Sequence, residues 1–143
     1  MDWFTLGDVQ VHVFRQLCAG IDHVFASPVV LFPHPQSNKG VPAQAAVYDK
    51  VIMDDMYIEG IFKNAKFQSV QIMEGDTVLV VSDGVADNVS QTTLSRFVES
   101  AYLNKESPDT LAAKIVAEAL SSAYRVNGCP DDTTCAVGYV CAS

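Results

Sequence analysis

The sequence predicts an α+β fold, in which a mostly antiparallel β-sheet carries helices packed on one face. Three observations predict this class. Residues 9–14 alternate between valine and other side chains, which is the period of a β-strand. Residues 77–82 form an almost continuous apolar run of strand length. Two segments with helical periodicity follow this run, and they precede a last apolar strand at residues 134–141.

The first half of the chain contains two predicted strands and one loop. The alternation of residues 9–14 favours a strand with one buried face. A second strand is predicted at residues 29–32, which read Val-Val-Leu-Phe. Residues 33–42 hold three prolines around a Ser-Asn-Lys-Gly sequence, so we expect a long surface loop there.

A β-hairpin is predicted near the middle of the chain. Residues 67–72 have the composition of a strand, and Glu74-Gly75-Asp76 is typical of a tight turn. Residues 77–82 would then be the returning strand. Because this second strand is apolar on both faces, we expect it to lie in the centre of the sheet.

Two helices are predicted in the second half of the chain. Ser90 has the position of an N-cap, and Ser107 followed by Pro108 and an acidic residue repeats that signal. Asn127-Gly128 is a stop signal for the second helix. Apolar residues at helical spacing predict one buried stripe in each helix: Leu94, Phe97, Val98 and Ala101 in the first, and Leu111, Ala112, Ile115, Val116, Ala119 and Ala123 in the second.

The composition limits the size and the partners of the protein. With 143 residues, 49% of them hydrophobic, the chain can bury one core, so we expect one domain or part of one. A net charge of −8 with only nine basic residues argues against binding of nucleic acid or of an anionic membrane. No apolar run has the length of a membrane span, and the first three residues lack the basic start of a signal peptide. We therefore expect an intracellular protein, first of all a cytoplasmic one, with an organelle as the alternative.

The cysteines are predicted to be structural. Cys18, Cys129, Cys135 and Cys141 show no CxxC spacing. In an intracellular protein this pattern favours buried free thiols over zinc ligands or disulfides.

Two aspartates stand where a predicted strand meets a turn or loop. Asp83 follows the apolar run, and Asp131 opens the segment that leads into the last strand. A strand can hold a carboxylate rigidly at its end, where a hard divalent cation would find the oxygen ligands it prefers. The helical sequence between the two acids suits a strand–helix–helix–strand unit that returns both to one edge of the sheet. Either aspartate alone is more typical of a turn residue, but the pair together favours a metal site.

Three motifs in this order resemble the metal-dependent Ser/Thr protein phosphatases, the PPM or type 2C family. Residues 82–88 (Ser-Asp-Gly-Val-Ala-Asp-Asn) are similar to the family's S/T-D-G-L-x-D-N motif, and residues 131–134 (Asp-Asp-Thr-Thr) resemble its closing D-D/N-x-T motif. Residues 6–15 resemble its mid-domain G-D-S-R strand pair, with Val-Gln in place of Ser-Arg. The resemblance covers nearly the whole chain but only the C-terminal half of a family catalytic domain, and residues 17–66 match poorly.

The resemblance implies a protein serine/threonine phosphatase that acts on phosphoserine and phosphothreonine with Mn²⁺ or Mg²⁺. It also implies that residues 1–143 form part of the family's α-β-β-α sandwich. Asp83 and Asp131 would be the metal ligands, and no further catalytic residue is expected in this chain. Supporting roles are implied nearby: a water-mediated metal contact for Asp132, bracing of the turn by Asp87 and Asn88, and orientation of Asp131 by Thr134.

One departure from the family pattern bears on the expected function. We find no D-G-H-G-G motif, which in the family supplies the aspartate that bridges two metals. We therefore expect weak binding of a single metal, and apolar sheet surface that is left uncovered. A chain of this kind would find a partner for that face, be a fragment of a longer protein, or have rearranged. Two hypotheses stay open: an enzyme of the type 2C class or its C-terminal portion, and a non-catalytic phosphatase-like module that binds a partner. An unrelated α+β domain with structural aspartates is a third.

Other ionisable side chains are expected to have structural roles. Asp8 is predicted to hold a turn, and Asp54-Asp55 to lie on the solvated surface. His12, His23 and His34 lack the spacing of metal ligands.

Overall fold

The computed structural model describes residues 1–5, 9–29, 31–33, 40–42 and 66–142, and the chain divides into two compact units. One unit is drawn from residues 1–9 and 28–70, and the other from residues 10–27 and 71–143. The predictions for Asp8, His34, Asp54-Asp55 and the centre of the proline-rich loop concern residues outside this description.

Short strands dominate the first half of the described chain, and helices dominate the second. In chain order the elements are β1 (Asp2–Thr5), β2 (Gln10–Leu17), β3 (Gly20–Ala26), β4 (Leu31–Pro33), β5 (Gly40–Pro42), β6 (Lys66–Ser69), β7 (Thr77–Val81), α1 (Asp83–Ala86), α2 (Gln91–Asn104), α3 (Pro108–Ala123) and β8 (Cys135–Tyr139).

Two antiparallel strand pairs lie in the first unit, β1 with β6 and β4 with β5. The strand predicted at residues 29–32 overlaps β4 (Leu31–Pro33), and Val29 lies outside that strand. Pro33 and Pro42 belong to the β4–β5 pair, so the prediction of a loop over residues 33–42 is wrong at both ends. Proline is tolerated here because each one ends a short strand of a two-stranded pair, where few ladder hydrogen bonds are lost.

A four-stranded antiparallel sheet in the order β3-β2-β7-β8 forms the basis of the second unit. The helices pack on this sheet, which confirms the predicted α+β class. β7 lies between β2 and β8, in the central position that its apolar sequence predicts.

The core of this unit lies between the helices and one face of the sheet. Paired residues of antiparallel strands share a face, and the row that contains Leu79 and Val137 is the one that contacts the helices. The predicted stripes supply the helical side of the core. Their buried members are Leu94, Val98 and Ala101 in α2 and Leu111, Ile115, Ala119 and Ala123 in α3, whereas Phe97, Ala112 and Val116 are half-buried.

Serine side chains cap the two long helices, as predicted. Ser90 Oγ accepts a hydrogen bond from the Thr93 N–H at 3.2 Å, and Ser107 Oγ accepts one from the Thr110 N–H at 3.2 Å. Pro108 is the first residue of α3, where its missing N–H costs nothing.

Two predicted boundaries differ from the structure by a few residues. α3 ends at Ala123 rather than at Asn127-Gly128, and β8 covers residues 135–139 rather than 134–141. None of the helices in the described ranges is long and apolar enough to cross a membrane.

β2 is buried on both faces, so the prediction of one buried face is wrong. Val11 and Val13 are 6% and 0% exposed, and on the other face His12 and Phe14 are also 6% and 0% exposed. The physical reason is that β2 lies between β3 and β7, so that side chains of two neighbouring strands flank its own side chains on each face. Val80, which pairs with Val11, is 38% exposed, so burial of the face opposite the helices diminishes at β7.

The predicted hairpin between residues 67–72 and 77–82 is wrong. β6 pairs with β1, while β7 pairs with β2 and β8. The turn itself is present, since the Asp76 N–H donates to the Met73 carbonyl oxygen at 3.1 Å and Gly75 has a φ of 86°. An apolar strand inside a sheet needs neighbours on both edges, and these come from distant sequence that local turn signals do not reveal.

β3, which the sequence patterns above do not predict, pairs with β2 across a turn at Cys18-Ala19. Its half-buried residues Ile21, His23 and Phe25 alternate with exposed ones, so a period-two pattern is present. A histidine on the inner side weakens that pattern in the sequence.

The four cysteines are free, as predicted, but the prediction that they are buried is wrong. Cys18, Cys129 and Cys141 are exposed, and Cys135 is half-buried on the edge strand β8. Burial raises the pKa of the Cys135 thiol to about 11.

A buried ion pair joins β2 to the residue that precedes β7. Asp76 is fully buried, and its carboxylate accepts hydrogen bonds from Arg15 Nε, Arg15 Nη2 and the Met73 N–H, each at 2.8 Å. Arg15 also donates to the Gln71 carbonyl oxygen at 3.1 Å. The hydrogen bonds from Arg15 hold the pKa of the Asp76 carboxyl below its usual value.

Replacing Asp76 by Asn should lower the free energy of unfolding by about 2 kcal/mol, because the fully buried carboxylate accepts from both Arg15 and the Met73 N–H, and Asn offers one acceptor oxygen in place of two. Urea denaturation measures this change. The matched control is Lys114→Met, which removes the more exposed pair of Lys114 with Glu106 and should cost less than about 1 kcal/mol. Equal stability of the two variants would contradict the proposed importance of the buried pair.

Two histidines meet across the β2–β3 pair. His12 Nδ1 and His23 Nε2 are 3.0 Å apart, and the His23 ring lies 4.7 Å from the Phe14 ring between centroids. His12 Nε2 is buried and has no hydrogen-bond partner among the described residues. Burial, and secondly the neighbouring His23, lowers the pKa of His12 to about 4.

Stability should therefore fall as the pH is lowered from about 6.5 to about 4. The unfolded chain protonates His12 near pH 6.5, whereas the folded chain resists protonation until about pH 4. The unfolded state binds more protons in this window, and the stability lost amounts to about 3 kcal/mol. His12→Leu should remove most of this slope from urea midpoints measured between pH 4 and pH 7. An unchanged slope in that variant would contradict the assignment to His12.

Candidate functional site

The pairing of β7 with β8 brings the two predicted aspartates to the same end of the sheet. Val81, the last residue of β7, pairs with Cys135, the first residue of β8. Asp83 follows closely after Val81, and Asp131 shortly precedes Cys135. Because the two strands are antiparallel, both acids lie beyond the same end of the sheet. We name these segments the Asp83 turn (residues 82–88) and the Asp131 loop (residues 129–134).

Ser82 bonds the Asp83 turn to the Asp131 loop. Its hydroxyl donates to the Asp132 carbonyl oxygen at 2.9 Å and accepts from the Thr134 N–H at 3.0 Å. Its backbone N–H donates to the Thr134 carbonyl oxygen at 3.0 Å. Ser82 is the residue before α1, but its hydroxyl makes no capping bond to that helix. The side chain instead links two segments that lie far apart in the sequence.

Asn88 makes a second link between the same segments. Its Nδ2 donates to the Gly84 carbonyl oxygen at 2.9 Å and to the Cys129 carbonyl oxygen at 2.6 Å. Its Oδ1 accepts from the Cys129 N–H at 2.9 Å. The side-chain amide thus bonds the backbone of its own turn and also pairs with the backbone of Cys129.

The two segments approach each other most closely at Gly84. A Cβ atom added to this residue would lie 2.5 Å from the Asp132 carbonyl oxygen and 3.1 Å from Thr133 Oγ1. Any side chain here would therefore push the Asp131 loop away from the Asp83 turn. The glycine is required by close packing rather than by a left-handed backbone.

A neighbouring backbone amide orients each of the two carboxylates. Asp83 is half-buried, and its Oδ1 accepts from the Gly84 N–H at 2.8 Å. Asp131 is exposed, and its Oδ1 accepts from the Asp132 N–H at 2.7 Å. Carboxylate oxygens are the ligands that Mg²⁺ and Mn²⁺ prefer. Within the residues that the structure describes, however, no group of three or more His, Cys, Asp or Glu side chains could hold a metal ion.

The other predicted site residues lie around these two acids. Asp87 is exposed, and its backbone N–H donates to the Asp83 carbonyl oxygen at 2.8 Å. Asp132 is also exposed, and its backbone oxygen is the acceptor for Ser82. Thr134 takes part through its backbone, whereas Thr133 Oγ1 donates to the Asp131 carbonyl oxygen at 3.1 Å.

Two contributors to this site are not predicted from the sequence. Ser82 stands inside the motif but is given no role, and Cys129 takes part only through its backbone. A signal for Ser82 exists, because a hydroxyl residue directly after a buried strand often bonds nearby backbone groups. Nothing in the sequence marks a backbone partner such as Cys129.

One solved structure is similar in fold to this chain. The chain, whose second unit is an antiparallel four-stranded sheet with helices packed on it, matches part of a type 2C phosphatase structure. That structure is the X-ray structure of the photosystem II phosphatase PBCP, with a TM-score of 0.50 and 20% sequence identity. The match covers 82% of this chain and 38% of that chain, so this chain spans 38% of the length of that phosphatase. At this identity the likeness concerns the fold alone. No protein-family model matches the chain, and neither does any curated protein.

Gly84→Ala should separate the Asp83 turn from the Asp131 loop and lower the free energy of unfolding by about 2 kcal/mol, because the added methyl group meets a backbone carbonyl. The matched control is Gly138→Ala in β8, where an added Cβ meets nothing within 4 Å and the change should be near neutral. Thermal or urea unfolding compares the two variants. If Gly84→Ala were as well tolerated as Gly138→Ala, the close approach of the two segments would be refuted.

Proposed function

We propose that this chain is a type 2C-like, metal-dependent protein serine/threonine phosphatase domain, or the C-terminal portion of one. Its substrates would be phosphoserine and phosphothreonine in other proteins. The observation that carries the proposal is the joining of the Asp83 turn to the Asp131 loop, in a chain whose fold is like part of a type 2C phosphatase. Asp83 and Asp131 would hold Mn²⁺ or Mg²⁺.

The donor chemistry of the two carboxylates supports this metal assignment. In each aspartate, one carboxylate oxygen accepts a hydrogen bond from a backbone N–H. This bond fixes the orientation of the carboxylate group. They supply part of a ligand set, because Mg²⁺ and Mn²⁺ in proteins commonly combine a few carboxylates with waters and substrate oxygens. The described residues thus fit two ligands of a metal centre and do not make up a complete one.

The charge of the site also favours a metal-dependent reaction. The Asp83 turn and the Asp131 loop carry four carboxylates, from Asp83, Asp87, Asp131 and Asp132. A phosphate monoester is an anion, and these side chains would repel it. A bound divalent cation would reverse the local charge and allow the ester to approach.

The chain's own residues would position the reacting groups. When bound, the cation supplies a Lewis acid that can activate a water for attack on phosphorus. Ser82 and Asn88 hold the backbones that carry the two acids, so little reorganisation is needed when a cation binds. The exposed position of Asp131 leaves the site open to a phosphorylated side chain on another protein.

A second candidate function is a non-catalytic, phosphatase-like module that binds a partner protein. The incomplete ligand set among the described residues favours this candidate. Its binding surface would be the sheet face opposite the helices. On this face Val80 is 38% exposed, and Ala136, with which it pairs, is also exposed.

Thermal unfolding with and without about 1 mM Mn²⁺ tests the metal assignment. Wild-type protein should gain about 3 °C in melting temperature, because a ligand that binds only the folded state stabilises it by mass action. Asp83→Asn and Asp131→Asn should each lose that gain. Asp109→Asn, which changes an exposed acid in the first turn of α3, should keep it.

Assay of a phosphothreonine peptide in the same buffers separates the two functions. Mn²⁺-dependent turnover that both site variants abolish supports the phosphatase. A Mn²⁺-dependent shift without turnover favours the binding module over the enzyme. Absence of any shift in the wild-type protein overturns the metal assignment.

A further inference from the structure

We infer that Ser82 and Asn88 are positioning residues that couple the Asp83 turn to the Asp131 loop, so that the two carboxylate-bearing segments hold or lose their arrangement together. We name the pair of side chains with their hydrogen bonds the interloop bridge. The inference rests on the proposed function in one respect only, namely that the coupling would hold Asp83 and Asp131 in place for binding a cation. The coupling itself can be tested without one.

The interloop bridge contacts the Asp131 loop at both of its ends. Asn88 pairs with the N–H and the carbonyl oxygen of Cys129, the first residue of that loop. Ser82 bonds the carbonyl oxygen of Asp132 and the N–H of Thr134, at the other end. Asp131 lies between these two points of attachment. Its position relative to the sheet therefore depends on side chains of the Asp83 turn.

The backbone groups that the interloop bridge contacts belong to exposed residues, which would otherwise bond water. Cys129, Asp132 and Thr134 are all exposed. Exposed loop backbone normally bonds water and moves freely, because few buried contacts hold it. Here side chains of the Asp83 turn replace that water at both ends of the loop. The bridge therefore orders the loop before any ligand binds.

Amide hydrogen exchange measured by NMR on the full chain tests the coupling. Asn88→Ala removes the acceptor of the Cys129 N–H directly, so exchange at Cys129 should accelerate by about tenfold. Coupling further predicts that exchange at Thr134 accelerates severalfold, although Ser82 is intact. Ser82→Ala should produce the reciprocal result, with direct acceleration at Thr134 and indirect acceleration at Cys129.

Asn104→Ala is the matched control. Asn104 Nδ2 donates to the Ser100 carbonyl oxygen at 2.8 Å, four residues earlier in the chain, just as Asn88 donates to Gly84. Within the described part of the chain, Asn104 makes no bond to the Asp131 loop. Exchange at Cys129 and Thr134 should be unchanged in this variant. Ser82→Thr keeps the hydroxyl and should restore slow exchange at both amides. Central β2 amides report any general loss of stability, and should stay protected in every variant.

Acceleration confined to the amide that loses its own acceptor overturns the coupling, because the bonds would then be independent. Unchanged exchange at both amides overturns the bridge altogether. If Asn88→Ala does not fold, the two Ser82 variants decide between these outcomes. Only coupling accelerates exchange at the Cys129 amide in Ser82→Ala and returns it to the slow wild-type rate in Ser82→Thr.

Paramagnetic Mn²⁺ supplies a second measurement that a merely structural role would not affect. In wild-type protein, Mn²⁺ should broaden the amide resonances next to Asp83 and Asp131. Asn88→Ala should raise the Mn²⁺ concentration for half-broadening severalfold, whereas Asn104→Ala should leave it unchanged. Equal affinity in Asn88→Ala and wild type would overturn the positioning role. Absence of broadening in the wild type counts against the proposed function, and the exchange data alone then decide the coupling.

Discussion

The central position of β7, paired with β2 on one edge and with β8 on the other, is the constraint on which the rest of the second unit depends. The start of this strand follows the buried carboxylate of Asp76, which Arg15 of β2 holds. Its end is fixed by Ser82, which bonds the segment leading into β8. Because both ends are held, the register of β7 is defined on both edges. That register determines which side chains meet the helices and which residues lie beyond the end of the sheet.

The candidate site is a consequence of that register and of polar contacts between loops. The long-range pairing of β7 with β8 places the Asp83 turn beside the Asp131 loop, and the close approach of Gly84 to the Asp132 carbonyl oxygen fixes the position of one segment against the other. Hydrogen bonds of this kind each contribute only about 1 kcal/mol to stability. Several of them with defined directions are therefore needed to order the two segments. Five hydrogen bonds of Ser82 and Asn88 join the two segments. The fold therefore already arranges the two segments that carry Asp83 and Asp131, before any ligand binds to these aspartates.

The helices were predictable because their signals are local. Ser90 and Ser107 lie directly before the turns that they cap, and the apolar stripes repeat within each helix. The strands were less predictable, since a strand is completed by partners elsewhere in the chain. The turn at Gly75 is real, yet the strand before it belongs with β1 and not with β7. β3 went unrecognised because His23, on its inner side, finds its partner only through the pairing with His12.

The sequence by itself determined the class of the fold, the centrality of β7, the caps of both long helices and the positions of two aspartates beside strands. These properties depend on neighbouring residues and on hydrophobic periodicity, which a single chain displays directly. The tertiary structure decided which strands pair, that β2 is buried on both faces, and that Ser82 and Asn88 join the acid-bearing segments. Their partners are backbone groups of residues about 40 to 50 positions away, which carry no sequence signature because every residue has the same N–H and carbonyl groups.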